Sequence, residues 1–172
     1  FDEVRLTADA RVDDPTRVLA GLARTRVLAA LQLAAEQVGG AAQCLQLAVD
    51  YTKERVQFGK PVASFQAVKH RAAEMMVRME TARSTVLGVA SQVAQGGLDD
   101  ATLAAEVAAA RVQATEAYRY CAQEAIQLHG GVGFTWEYDP QMHFKRAQWA
   151  SQWFGPTRDW REALAAHLLD AA

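Results

Sequence analysis

The residues best suited to chemistry lie in two stretches. The first, Glu54 to His70, reads ERVQFGKPVASFQAVKH and gathers Arg55, Gln57, Phe58, Phe65 and Gln66 around Gly59 and Pro61. A guanidinium pairs with phosphate oxygens in a planar fork, while an aromatic face and an amide hold a heterocycle. The second, Gln127 to Pro140, reads QLHGGVGFTWEYDP, and its glycines Gly130, Gly131 and Gly133 expose backbone amides that can receive an anion. Each stretch also has a plain reading. Arg55 can be a cation favoured by a helix C-terminus, Phe58 and Phe65 can be core rings at a helix-helix corner, and glycine clusters are commonly simple turns. Two such stretches, each at a helix junction, favour a shared phosphate-bearing ligand.

Other chemistries find little support. His70, His129, His143 and His167 are scattered without HExxH or paired spacing, and read as hydrogen-bonding residues of surface or core, with His70 or His129 near a ligand as the lesser alternative. There is no GxSxG, no Walker loop and no GxGxxG after a strand. Cys44 and Cys121 lie far apart with no CxxC or histidine-rich company, which argues against a metal site and for a reduced, cytoplasmic setting.

These residues need elements to position them, and the pattern predicts an all-α chain. Residues 1–13 read as the tail of a preceding β-domain or a linker, with Phe1, Val4 and Leu6 as buried positions. The opening FDEVRL reads as the end of a strand, so a fragment of a longer chain is expected. Residues 14–172 read as one helical bundle. Asp14-Pro15 starts a helix, since aspartate caps free amides and proline suits the first turn. That helix runs to about Thr52, roughly 55 Å at 1.5 Å per residue, and suits the centre of a bundle. Gly39-Gly40 inside it costs about 1 kcal/mol per glycine relative to alanine, which predicts close packing there.

A second helix starts at Pro61 or Ser64, carries Met75, Met76 and Met79 as core, and ends at Gly96-Gly97. Asp99 and Asp100 cap a third, alanine-rich helix to about Leu128. Asp139-Pro140 caps a fourth and Thr157 a fifth. The expected architecture is therefore an up-and-down bundle of three long helices plus two shorter C-terminal ones. Trp136, Trp149, Trp153 and Trp160 exceed what such a bundle needs and point to a subunit interface.

Composition agrees with this class. A chain of 172 residues with 51% hydrophobic and 22% charged residues reads as one soluble globular domain. Its net charge of -2 gives no reason to expect nucleic acid as partner. No uninterrupted apolar run reaches the roughly 20 residues that span a bilayer, and no signal peptide is visible, so membrane insertion is not expected.

The combination R-x-Q-F-G-K-P…F-Q around Arg55 and Q-x-x-G-G-x-G-F from Gln127 resembles the C-terminal helical domain of the acyl-CoA dehydrogenase family, over nearly the whole chain. The FDEV opening looks like the exit from that family's middle β-domain. The resemblance implies an acyl-CoA substrate, FAD as cofactor, and a domain that drives tetramer formation, as a dimer of dimers, and lends FAD contacts to a neighbouring subunit. By motif, Arg55 meets the pyrophosphate, and Gln57, Phe58 and Gln66 lie near the adenosine half. Gln127, Gly130 and Gly131 line the dinucleotide from the other side, and Thr157 touches the cofactor as well.

One departure from the family pattern matters. Its members remove the substrate's α-proton with a glutamate, a role suited to a carboxylate whose basicity a dry pocket raises. The usual position of that glutamate falls on Gly155, and the alternative position on the first long helix falls on Ala29, followed by Ala30. No catalytic residue is therefore assigned. Glu36, two helical turns beyond Ala29, and Glu137 are the lesser candidates for a displaced base. The resemblance thus points to the non-catalytic partner of a heteromeric acyl-CoA dehydrogenase, including those acting on sterol-derived CoA thioesters. The competing expectation is a non-enzymatic helical assembly module.

Overall fold

A computed structural model describes residues 2–10 and 18–169. The expectations for Phe1 and for the Asp14-Pro15 start lie outside the described residues. Five helices follow in order: α1 (Val18–Glu54), α2 (Gln66–Gln95), α3 (Asp100–His129), α4 (Pro140–Gln152) and α5 (Thr157–Leu169). Between α1 and α2 sits an antiparallel hairpin of β1 (Val56–Gln57) and β2 (Lys60–Pro61), paired Val56 to Pro61 and Gln57 to Lys60. The all-α class and the three-plus-two arrangement hold, while the hairpin and the 3-10 turn over Val62–Ser64 delay α2 to Gln66.

Helix ends follow local chemistry. Asp99 Oδ1 accepts from the backbone N–H groups of Ala101 and Thr102, both at 2.9 Å, and so caps α3. Gly96, at φ +75°, closes α2 in the left-handed region. Asp139 does not behave as expected: its own backbone is helical and its side chain makes no capping bond. Only its carbonyl serves α4, accepting from Met142 at 2.9 Å and His143 at 3.3 Å.

The centre of the bundle is α3 rather than α1. More than half of its 30 residues are buried, and it packs against α1, α2, α4 and α5. Alanine makes this possible, since small side chains let four neighbours approach one axis. One core cluster joins Ala30, Ala34 and Val38 of α1 to Val86, Val107, Ala114 and Trp160. A second surrounds Tyr118 with Ala41, Cys44, Met75, Met79 and Cys121. Close packing occurs at Gly40, where a Cβ would lie 2.5 Å from the Tyr118 ring, but not at Gly39, which faces open space.

Several expected core residues are outside. Val4 and Leu6 are exposed, as is Met76. The helices carry apolar residues on more than one face, so periodicity alone does not select the buried one. By length and composition α1 could also cross a membrane, with a window of mean hydropathy 1.4, although here its inner face packs on α3.

Candidate functional site

The hairpin begins at Arg55, whose N–H donates to Tyr51 O at 2.9 Å and whose carbonyl accepts from Val62 at 2.8 Å. Its two turn residues, Phe58 and Gly59, have φ of +52° and +78°. Two-residue hairpins favour such positive φ values, which glycine supplies readily. A phenylalanine there costs about 1–2 kcal/mol. Burial does not compensate, because Phe58 is 91% exposed and only meets Phe65 edge-on at 6.2 Å. The corner is therefore no place where both rings enter the core. A strained, exposed aromatic on a short turn is a common sign of a contact surface.

The opposite wall is the end of α3. Gly130, at φ +66°, donates its N–H to the carbonyls of Ile126 and Gln127 and turns the chain into a 3-10 segment, Gly130–Phe134. Gly133 is required for packing, since a Cβ there would lie 2.7 Å from Ile126 O. Gly130 and Gly131 instead have nothing near a prospective Cβ, so their backbone is open to a ligand. Together with Tyr51, Arg55, Gln127 and His129 they line a groove of about 400 Å³. Arg55 is exposed and has no carboxylate partner among the described residues, leaving its guanidinium free for an anion.

His129 is the groove residue that sequence reasoning kept only as a lesser alternative, beside His70. It is 5% exposed and stacks on Tyr51 with centroids 4.3 Å apart. Its Nδ1 lies 2.7 Å from Ala125 O, an acceptor, so Nδ1 carries the proton and donates. Burial lowers its pKa. Its place between Gln127 and the glycines was the available signal.

The structure brings Arg55, Gln127, Gly130 and Gly131 together. Gln57 and Phe58 stand on the adjoining hairpin and Gln66 opens α2, all exposed and outside the groove lining. Thr157 lies at the far end of the bundle. There Arg26 donates to Phe154 O from Nη2 at 2.8 Å and Nε at 3.2 Å. Along α1, Arg26 and the Arg55 end are separated by roughly 42 Å at 1.5 Å per residue. Thr157 and Arg55 of one protomer therefore cannot meet the same end of one dinucleotide.

Ala29 and Gly155, the two positions that the family resemblance assigned to a base, carry no carboxylate. Ala29 is half-buried and Ala30 fully buried. Gly155 has φ +105°, and a Cβ there would lie 3.2 Å from Arg26 Nη2, so a cation stands where a glutamate side chain would project. Both carboxylate oxygens of Glu36 are occupied by Arg146, at 2.6 and 2.8 Å. That bidentate pair has to open before Glu36 could take a proton. Glu137 is exposed, and a hydrogen bond from Thr135 holds its pKa below the ordinary value.

A buried arginine holds this region in place. Arg111, 1% exposed, donates to Gln37, to Thr115 and to the carbonyls of Ala150 and Trp153, the last at 3.1 Å. It ties the end of α4 to α1 and α3, and with it the loop that carries Gly155. Burial pulls its pKa down to about 10, so it stays charged at neutral pH. No local sequence pattern distinguishes it from a surface arginine of α3.

Three of the tryptophans are exposed as expected of an interface: Trp136, Trp149 and Trp153, with Trp149 stacked on Trp153 at 4.9 Å. Trp160 departs from that expectation. It is 5% exposed in the core beneath Arg26.

Comparison with known proteins places this geometry. The family model described as acyl-CoA dehydrogenase, C-terminal domain, matches residues 17–169. The acyl-CoA dehydrogenase IpdE2 of Mycolicibacterium smegmatis is 45% identical over 149 residues, covering 87% of this chain and 44% of that protein. The chain thus spans under half the length of this relative. The glutaryl-coenzyme A dehydrogenase complex with glutaryl-CoA superposes with a TM-score of 0.92 at 28% identity, over 99% of this chain and 42% of that one. A Tcur3481-Tcur3483 steroid ACAD gives 0.82 at 28% identity, over 88% and 41%. A family-model match over residues 17–169, which spans all five helices, makes this chain a member of the acyl-CoA dehydrogenase family, corresponding to its C-terminal domain.

Proposed function

We propose that this chain is the helical component of an FAD-dependent acyl-CoA dehydrogenase acting in the cytoplasm, contributing cofactor contacts and assembly while a partner subunit supplies the proton-abstracting carboxylate. The observation that carries this reading is the pairing of a ligand groove with two vacant base positions: Arg55 and the Gln127–Gly131 turn share one cleft, while Ala29 and Gly155 offer no carboxylate.

The groove's chemistry suits one part of FAD. Arg55 provides a fork for pyrophosphate oxygens, and the open backbone of Gly130 and Gly131 permits close approach. Gln57, Phe58 and Gln66 on the adjoining hairpin and α2 start offer amides and an aromatic face to the adenosine half. At about 400 Å³ the groove is at the small end of the roughly 300–1,000 Å³ of small-molecule sites, so the remainder of the dinucleotide is held from another subunit. When bound, FAD supplies the hydride acceptor for α,β-dehydrogenation of an acyl-CoA thioester. The roughly 42 Å along α1 between the Arg55 end and Arg26, which holds the loop just before Thr157, fits an assembly in which the two ends of this bundle serve different flavins. A homologous ACAD named for two chains and for a steroid supports a hetero-oligomer and a bulky acyl group.

The test is co-expression with the neighbouring acyl-CoA dehydrogenase polypeptide, followed by a flavin spectrum and anaerobic addition of acyl-CoA esters. Flavin bands that bleach support the reading; a colourless complex refutes it. The exposed face of Trp136, Trp149 and Trp153, with Lys145 over Trp136 at 4.4 Å and Arg146 over Trp149 at 4.1 Å, favours a second reading as assembly module alone. That reading requires Arg55→Ala to leave flavin content unchanged.

A further inference from the structure

We infer that His129 is a fixed hydrogen-bond acceptor within the Arg55 groove, selecting a hydroxyl or amine of the bound nucleotide and turning phosphate away toward Arg55. The inference rests on the FAD reading above and adds a residue and a polarity to it.

Three contacts set the imidazole. Nδ1–H donates to Ala125 O at 2.7 Å, Tyr51 covers one face at 4.3 Å and 18°, and Tyr138 meets the ring edge-on at 5.8 Å. A half-turn of the ring would put a carbon where the donor now is and leave Ala125 O without that bond, so the tautomer and the orientation are determined together. Nε2 is then a bare lone pair. It has no hydrogen-bond partner among the described residues, and His129 is one of the residues lining the groove. No aspartate or glutamate shares that lining to stabilise an imidazolium, and Arg55, the one cation there, disfavours it further.

A bare nitrogen acceptor repels phosphate oxygens, which are themselves acceptors, and is satisfied only by a donor. Arg55 presents donors alone. The groove is therefore bipolar, with a phosphate end at Arg55 and a donor-seeking position at His129. On the ADP half of a flavin dinucleotide the donors are the ribose hydroxyls and the adenine amine.

Co-expressed complex carrying native chain, His129→Asn or His129→Gln is stripped of flavin and titrated with FAD, and ADP, 2′-deoxy-ADP, 3′-deoxy-ADP and inosine diphosphate serve as competitors. Asparagine keeps a side-chain donor for Ala125 O but places no acceptor at Nε2; FAD and ADP should bind roughly three- to tenfold more weakly, with glutamine closer to native. In the native complex one analogue should lose a similar factor, a deoxy form if a ribose hydroxyl is the donor and inosine diphosphate if the amine is. The asparagine variant should be insensitive to that same change, which a merely structural defect would not produce. Equal losses for every analogue in native and variant overturn the role of His129 while leaving the FAD reading intact. A native complex that binds neither FAD nor ADP overturns both.

Discussion

Two adjacent glycines inside α1 should respond to alanine with opposite signs. At Gly39 a Cβ meets nothing within 4 Å, so Gly39→Ala gains helix propensity and should stabilise by about 0.5–1 kcal/mol. At Gly40 the new methyl would lie 2.5 and 2.6 Å from Tyr118 Cζ and Cε2 and 2.9 Å from its hydroxyl. Tyr118 is 2% exposed in the second core cluster and cannot simply swing into solvent. Overpacking of this kind costs about 1–3 kcal/mol. Displacing the ring also strains its 3.0 Å bond to His143, worth roughly 0.5–1.5 kcal/mol. Set against the propensity gain of about 1 kcal/mol, Gly40→Ala should destabilise by about 1–3 kcal/mol. For a domain of this size each kcal/mol moves Tm by roughly 2–4 °C, so the two variants should bracket the native chain. Urea unfolding followed by helical circular dichroism reads both, and the Gly40→Ala penalty should shrink in a Tyr118→Leu background. A stabilised Gly40→Ala chain, or two variants shifting together, would refute the reasoning.

Arg55→Ala should cut FAD affinity of the co-expressed complex roughly ten- to a hundredfold, the range of a hydrogen-bonded charge, and a flavin titration that shows no change removes Arg55 from the site. Gly155→Glu should not create a base: φ +105° opposes any side chain, and Arg26 Nη2 stands 3.2 Å from the new Cβ, so flavin bleaching without a partner subunit would contradict this geometry. Burial lowers the pKa of both His129 and His143, so the unfolded chain binds protons first; stability should be full above about pH 6.5 and fall as pH drops below it, a slope that His129→Asn with His143→Asn should flatten in pH-resolved urea melts. Arg111→Met removes the donors to Ala150 O and Trp153 O and should cost about 2–5 kcal/mol, with thermal unfolding unchanged from native as the contrary result.

What could be read without coordinates was local. The Asp99 cap, the Gly96 stop and the Gly130 turn depend on chemistry within a few residues, and all three stand where the residues put them. The family followed from two motifs whose internal spacing survives in one dimension. Failures began where a choice depended on the backbone conformation that the residues adopt and not on their type. Asp139 has the right residue type for a cap, yet its helical backbone aims the side chain away from the free amides. The hairpin at Val56–Pro61 needs cross-strand pairing and a phenylalanine at positive φ, which propensity opposes.

By itself the sequence determined the glycine breaks, the Asp99 cap, the family, and the absence of a carboxylate at Ala29 and Gly155, because each is a matter of residue identity at a place along the chain. Tertiary structure alone decided that α3 is central, that Trp160 is core while Trp136, Trp149 and Trp153 are not, and that Glu36 is spent on Arg146. It also joined Arg55 to Gln127 and His129 while leaving Thr157 at the far end of the bundle. The physical reason is that these helices are apolar on several faces, so the rotation of each about its axis is settled only when neighbours compete for the same surface. Burial, charge pairing and groove composition all follow from that rotation.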